Sequence, residues 1–518
     1  MQRRSPPMLQ RMHCSRAALV LSATLFCSTC SVSQPNAAPK RPNIVVFLVD
    51  DMGWQETSVP FHTEPTALNR RYRTPAMERL AATGMKFTQA YASAVCSPSR
   101  LSLMTGQNVA RHRVTNWTLQ RGWSPYSAQA TLTPPQWNVN GYCADPAIER
   151  TMQGAALPEL LRGAGYRTIH VGKAHFGAKD TPGADPRHLG FDVNLGGHAA
   201  GGPGSYHGEH DYSAAWRKGD RIWDVPGLAA YHGTDTNLTE ALTREAVREV
   251  EQAHAADTPF FLYLAHYAIH GPWEPDARFV PRYLDAGLPQ QQAALASMVE
   301  GMDKSLGDVL DTLDRLGIAD DTLVLFLSDN GSPQQCPPNL PLRGHKLSPY
   351  EGGVRIPMLA RWPGITTAGS TCPTPVVIED CHATLLAAAG VPATASAPFP
   401  VDGESFVAQL GGEPRAHQRA FVWHYPHHYS GQAPWSAIRV GDWKLVYHHA
   451  DQRRELFDLA HDLGEQHDLA TREPERVTTL AAQLGGLLRN RGAQMPTRKV
   501  DGAPVPWPDA LVASAVPR

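Results

Sequence analysis

The sequence predicts an α/β protein: a large mixed, mainly parallel sheet flanked by helices, followed by a smaller C-terminal antiparallel sheet with one helix. Three observations carry this expectation. Short apolar runs alternate with amphipathic helical stretches, four of those runs end in polar clusters, and the composition shifts after Ala389. At 518 residues the chain is too long for one simple core. Hydrophobic content of 42% and charged content of 19% are ordinary for a globular protein. A formal net charge of -2 gives no global attraction to nucleic acid or to an anionic membrane, so any pull on a charged ligand must be local.

Arg3, Arg4, Arg11 and Arg16 precede an apolar stretch at 17–26 that is too short to span a bilayer. With the polar segment after it, residues 1–38 read as an export signal and tether. The expected location is periplasmic or extracellular, with no other transmembrane anchor and with Cys27 or Cys30 as candidate lipid-bearing residues. The runs at 44–49, 168–171, 260–264 and 323–327 have the length and make-up of buried strands. They lead into Asp50 and Asp51, Lys173 and His175, His266 and His270, and Asp329 and Asn330. Helical patterns cover 77–83, 157–164, 238–255 and 290–316, several closed by a glycine. Strand–helix alternation of this kind puts ligands beyond the carboxyl ends of the strands, where all four clusters fall. A catalytic domain is expected over 39–417. Residues 418–518 would form a subdomain and tail, with strands near 420–423, 436–440, 443–447 and 455–459 and a helix over 475–489.

Cys96-Ser97-Pro98-Ser99-Arg100 is the most informative segment. Pro98 suits a first helical turn, which puts Cys96 at a helix N-terminus, where free N–H groups attract an anion. Arg100, four residues on, shares its face. The alternative is a buried or disulfide-bonded cysteine beside a surface arginine. Asp50, Asp51, Asp329 and Asn330 are hard oxygen donors; clustered carboxylates repel unless a cation compensates them, and this set suits calcium or magnesium rather than zinc. Arg100, Lys173, His175, His270 and Lys346 supply cations, donors and proton carriers for an anionic transition state. Of eight cysteines, Cys143, Cys336, Cys372 and Cys381 remain beside Cys96 outside the signal, and Cys372 with Cys381 is the nearest candidate disulfide.

Taken together, these motifs resemble the type I sulfatases of the alkaline phosphatase superfamily. The resemblance runs from about Asn43 to Leu469. It takes in the stretch from Asn43 to Trp54, Thr74 to Leu80, and the C-x-P-S-R signature at Cys96. Gly172 to His175, Ser328 to Gly331, Leu342 to Lys346, Glu351 to Pro357 and Arg439 to Val446 follow in the family's order. It departs at Ile269, where the family usually has proline before the histidine carried onto His270. The resemblance implies hydrolysis of sulfate monoesters. A formylglycine-generating maturation enzyme would oxidise Cys96 to formylglycine (3-oxoalanine), which when hydrated is the nucleophile. Asp50, Asp51, Asp329, Asn330 and the modified Cys96 would bind Ca2+. Arg100 would hold the nucleophile and His175 would orient it or take its proton. Lys173, His270 and Lys346 would bind sulfate, with His270 or Lys346 as general acid. The expected substrate is a sulfated small molecule or glycan. The aromatic and histidine-rich stretch from Trp423 to Tyr429, with His427 as a substrate-binding residue, suits a sugar. The glycine-rich stretch from Gly196 to Gly204 is read as a flexible loop, with a pocket wall as the alternative. A phosphonate or phosphodiester hydrolase on the same metal set and a non-catalytic binding protein with unmodified Cys96 are the competing readings.

Overall fold

The computed structural model describes residues 41–126, 131–415 and 417–510. The segment read as an export signal, with Cys27 and Cys30, lies outside them. In chain order the first sheet comprises β1 (Asn43–Val49), β2 (Met85–Tyr91), β3 (Arg167–Gly172), β4 (Val193–Leu195) and β5 (Phe260–Ala265). β6 (Thr322–Ser328), β7 (Arg355–Arg361), β8 (Ser370–Cys372) and β9 (Val376–Val377) complete it among the described residues. The order across the sheet is β9-β2-β7-β6-β1-β5-β3-β4, with β8 also beside β2. β1 runs parallel to both β5 and β6, and β3 parallel to β5; β7 is antiparallel to β6 and β2. The sheet is therefore mixed and mainly parallel, as the sequence predicts.

Successive side chains of a strand face opposite ways, so a strand covered on both sides must be apolar throughout. β1 illustrates this. Val45, Phe47 and Val49 pack into one core cluster and Ile44, Val46 and Leu48 into the other. The first cluster is covered by α1 (Pro75–Thr83) and, later in the chain, by the helices 238–255 and 290–315. The second is covered by α2 (Cys96–Thr105) and α3 (Leu157–Gly163). The two long helices are α4 (Leu238–Ala255) and α5 (Gln290–Arg315); α6 (Asp380–Ala388) joins α2 and α3. β2 and β7 escaped the apolar pattern because β2 carries Lys86, Thr88 and Gln89 and β7 is interrupted by Pro357.

The second sheet is antiparallel: β10 (Ala420–Tyr425), β11 (Trp435–Val440), β12 (Trp443–His448) and β13 (Arg454–Asp458), in that order. α7 (Pro474–Asn490) lays Leu480, Leu484 and Leu488 on one face, against Ile438 and Leu445. The other face turns Trp423, Tyr425 and Trp435 onto Val95 and Cys96. The small sheet thus roofs the start of α2. The expected Cys372–Cys381 disulfide is not formed. Both thiols are free and buried, packed as small apolar groups in the second core cluster.

Candidate active site

The register of the sheet brings the expected residues together. Val49 pairs with Ser328, Leu48 with Ala265, and Gly172 with Ala265, so β1, β6, β5 and β3 end level with one another. Asp50, Asp329, the turn after Ala265 and Lys173 are the next residues out. Backbone bonds lock these turns: Asp50 donates to the Ala268 carbonyl at 2.9 Å, Ile269 to the Asp50 carbonyl at 2.8 Å, and Asp329 to the Val49 carbonyl at 3.1 Å.

Cys96 opens the ten-residue α2, which Gly106 closes in the left-handed conformation, donating back to the Ser102 carbonyl at 2.8 Å. The Cys96 thiol and carboxylate oxygens of Asp50 and Asp329 all lie within 4.8 Å of one another. Arg100, one turn along the helix, is fully buried. Its Nε donates to Asp329 Oδ2 at 2.8 Å and its Nη1 to the Lys173 carbonyl at 2.8 Å. Lys173 pairs with Asp50, also fully buried, and Lys346 pairs with Asp51 while its Nζ lies 3.6 Å from Cys96 Sγ. Ten of the eleven site residues expected from sequence, all but His427, therefore meet at one place.

The electrostatics reflect three carboxylates and three cations withdrawn from water. Burial, reinforced by Asp329, pushes the Asp50 carboxyl up to about 8 against the pull of Lys173. Burial also acts on Asp51, but Lys346, His270 and Lys173 more than reverse it and hold that carboxyl well below its usual range. Two acceptor atoms, Asp50 Oδ1 and Asn330 Oδ1, are buried without a hydrogen-bond partner. The amide end of Asn330 is committed, donating to Asp51 Oδ1 at 2.7 Å and to the Gly331 carbonyl at 2.9 Å, so its oxygen is the end left free. Unpartnered hard oxygens beside two carboxylates fit a divalent cation of the calcium type.

His175 donates from Nε2 to the Thr118 carbonyl at 2.8 Å, and its Nδ1 is buried without a partner. Burial, then Lys173, drives it well below the usual histidine range, so it stands neutral with a free lone pair. His270 donates from Nδ1 to the Gly271 carbonyl at 2.8 Å and sets Nε2 3.8 Å from Asp51 Oδ2; burial brings it down to about 4. A cavity of about 260 Å³ opens over this group, lined by Asp51, His270, Lys346 and Tyr429 among others.

Three findings differ from the sequence expectations or lay outside them. His427 is fully buried; its Nε2 bonds Thr115 Oγ1 at 2.7 Å and its ring packs edge-on to Trp137 at 5.2 Å. It has no surface to offer a sugar, whereas Tyr429 of the same segment lines the cavity. The stretch from Gly196 to Gly204 is a packed wall rather than a flexible loop. A Cβ at Gly201 would lie 2.3 Å from His175 Cε1, so only glycine lets the backbone lie on that ring. The Thr118 carbonyl that fixes the His175 tautomer was missed, because a backbone acceptor leaves no trace in residue type.

Residues 42–391 match the sulfatase family, and residues 345–492 match the N-sulphoglucosamine sulphohydrolase C-terminal family. A sulfatase of Formosa agariphila is 29% identical, over 87% of this chain and 89% of that protein. Human N-acetylgalactosamine-6-sulfatase is 34% identical over 69% of this chain, which spans 63% of the human protein. The crystal structure of Ps i-CgsB in complex with k-i-k-neocarrahexaose superposes with a TM-score of 0.70 at 26% identity, covering 87% of this chain and 94% of that one. With the family match spanning most of the folded chain and a cysteine, carboxylates and buried cations gathered at the strand ends, this chain belongs to the sulfatase family of sulfate-ester hydrolases.

Proposed function

We propose that the protein hydrolyses sulfate monoesters of carbohydrates, using formylglycine made from Cys96 and one bound Ca2+. The observation that carries the reading is the group of Asp50, Cys96 and Asp329 beneath Lys173, Lys346 and Arg100. Asp50, Asp51, Asp329 and Asn330 would hold the calcium ion, which would supply Lewis-acid stabilisation of the nucleophile and of the sulfate oxygens. Position 96, oxidised by a maturation enzyme to the aldehyde, would supply a hydrated nucleophile able to release sulfate without a second attack at sulfur.

The remaining chemistry belongs to side chains of this chain. Arg100 fixes Asp329 and neutralises it, so the carboxylate cannot turn away. Lys173 and Lys346 counter the charge that builds on the sulfate oxygens. His175, neutral and anchored at Nε2, offers Nδ1 as the proton acceptor for the second step. His270 and Lys346 stand at the cavity and are the two candidates to protonate the leaving alcohol; His270, whose own proton is on Nδ1, would first have to take one at Nε2. A sugar is favoured by polar lining at the cavity, including Gln334, Gln335 and Ser430, and by relatives named for N-acetylgalactosamine 6-sulfate and crystallised with a neocarrahexaose. Export of the mature enzyme, and the division into a catalytic domain over 39–417 and a subdomain over 418–518, belong to the same proposal.

The test is peptide mass spectrometry across Cys96, which should show conversion of the thiol to the aldehyde. It is followed by a panel of N-acetylgalactosamine 6-sulfate, sulfated neocarra-oligosaccharides, 4-nitrophenyl sulfate and an aryl phosphonate. Highest kcat/KM on a sugar sulfate supports the reading; highest kcat/KM on the phosphonate overturns it.

A further inference from the structure

We propose that Tyr429, Trp117 and Trp123 form an aromatic wall that receives the sugar next to the sulfated one, an inference that rests on the carbohydrate reading above. Tyr429 stands at the cavity beside Asp51, His270 and Lys346, where the sulfate would be held. Trp117 packs edge-on to Tyr429 with ring centres 5.9 Å apart, and Trp123 packs edge-on to Trp117 at 5.2 Å. The rings form one contiguous series that begins at the cavity with Tyr429. Each ring braces the next, which is the arrangement aromatic quadrupoles favour. Trp123, at the far end, is 43% exposed, so the series ends at the surface.

The wall is tied to the catalytic group through the backbone. Thr118, next to Trp117, gives its carbonyl to His175 Nε2, and its N–H donates to Ser97 Oγ at 3.2 Å, beside Cys96. A substrate resting on Trp117 is thereby held in register with the nucleophile. A pyranose has an apolar C–H face and a rim of hydroxyls. The indole and phenol rings meet the first, and Gln334, Gln335, His345 and Ser430 in the adjoining cavity can meet the second. A bare aryl or sterol group offers those polar side chains no hydroxyl rim to bond, so the site fits an oligosaccharide better than either.

The experiment compares wild type with Trp123→Ala and Trp123→Phe. Trp123 is exposed, and thermal melts followed by circular dichroism should show the fold retained. The substrates are the sulfated oligosaccharide that the wild type hydrolyses fastest, the corresponding sulfated monosaccharide, and 4-nitrophenyl sulfate. Trp123→Ala should raise KM for the oligosaccharide roughly three- to tenfold with kcat unchanged, as expected for loss of one ring contact. Trp123→Phe should restore most of the affinity. Both small substrates should be unaffected. Unchanged oligosaccharide kinetics, or an equal loss on all three substrates, overturns the wall. A wild type that hydrolyses aryl sulfates but no sugar sulfate overturns the carbohydrate reading instead, and a KM effect confined to the aryl substrate would assign the wall to an aryl group.

Discussion

Replacing Lys444 with methionine tests how the roof over Cys96 is fastened. Lys444, on β12, is fully buried and donates to Glu351 Oε1 at 2.9 Å, and its Nζ lies 2.9 Å from Glu465 Oε1. Glu351 also accepts from the Tyr91 hydroxyl at 2.7 Å and from Arg355 Nη1 at 3.2 Å, so this one cluster joins β2 and the start of β7 to the small sheet. Methionine keeps the length of the side chain and removes the charge. Two buried carboxylates then share no ammonium, and breaking a buried pair in this way costs about 3–5 kcal/mol. For a chain of this size that is a fall in Tm of about 3–5 °C. The pH dependence follows from the two carboxyls. Burial, then Glu351, pushes Glu465 up to about 7 against Lys444, so its stabilising contribution is present at low pH and is lost as pH rises through about 7. Burial pushes Glu351 the same way, but Lys444, Arg355 and Arg439 more than reverse it, so its contribution is present at neutral pH and is lost as pH falls. Without Lys444 both carboxyls rise, so protonation removes more of the buried charge at pH 5 than at pH 8. Lys444→Met should therefore cost the full amount at pH 8 and distinctly less at pH 5, measured by guanidinium unfolding followed by circular dichroism. A loss below about 1 kcal/mol, or one equal at the two pH values, would refute the reasoning.

Three further predictions concern the site. Cys96→Ala should abolish turnover of every sulfate ester while leaving the far-UV circular dichroism spectrum unchanged; a fully active variant would remove Cys96 from the mechanism. Asp329→Ala takes one carboxylate from the proposed calcium ligands and leaves the buried Arg100 without its ion pair, so both calcium and activity should be lost. Elemental analysis of the pure active wild type should find about one calcium per chain, and finding zinc or no divalent ion would contradict the assignment. His427→Ala removes a buried ring with its Thr115 bond and Trp137 contact. It should cost about 2–4 kcal/mol of stability and lower kcat/KM for sugar and aryl sulfates alike; a loss specific to the sugar would restore His427 to substrate binding.

Much of the site is legible in the chain because it sits at the ends of strands whose identity is local. A strand covered on both faces must be apolar over five to seven residues, and the polar residues that follow it are at once candidates for chemistry. Asp50, Lys173 and Asp329 were readable on that ground. Cys96 and Arg100 were readable because proline in a first helical turn and glycine after a last one mark the ends of α2. What the local pattern could not give is which side chains face inward once distant segments pack. The stretch from Trp423 to Tyr429 shows the limit. Its composition suits a sugar throughout, yet β10 buries Trp423 and Tyr425, the Thr115 and Trp137 contacts bury His427, and only Tyr429 reaches the cavity.

The strands covered on both faces, the polar residues at their ends and the helix that begins at Cys96 are readable from the chain alone, because each follows from periodicity and capping within a few residues; β2 and β7 are not. Only the tertiary structure decided that Gly196 to Gly204 is a wall against His175, that Thr118 fixes that histidine's tautomer, that Cys372 and Cys381 stay apart as thiols, and that Trp117 and Trp123 join Tyr429. Most of those outcomes depend on contacts between segments tens to hundreds of residues apart, such as Trp117 with Tyr429 and Thr118 with His175. They are set by which surfaces the packed sheets and helices leave adjacent, a property that no local pattern of residue types encodes.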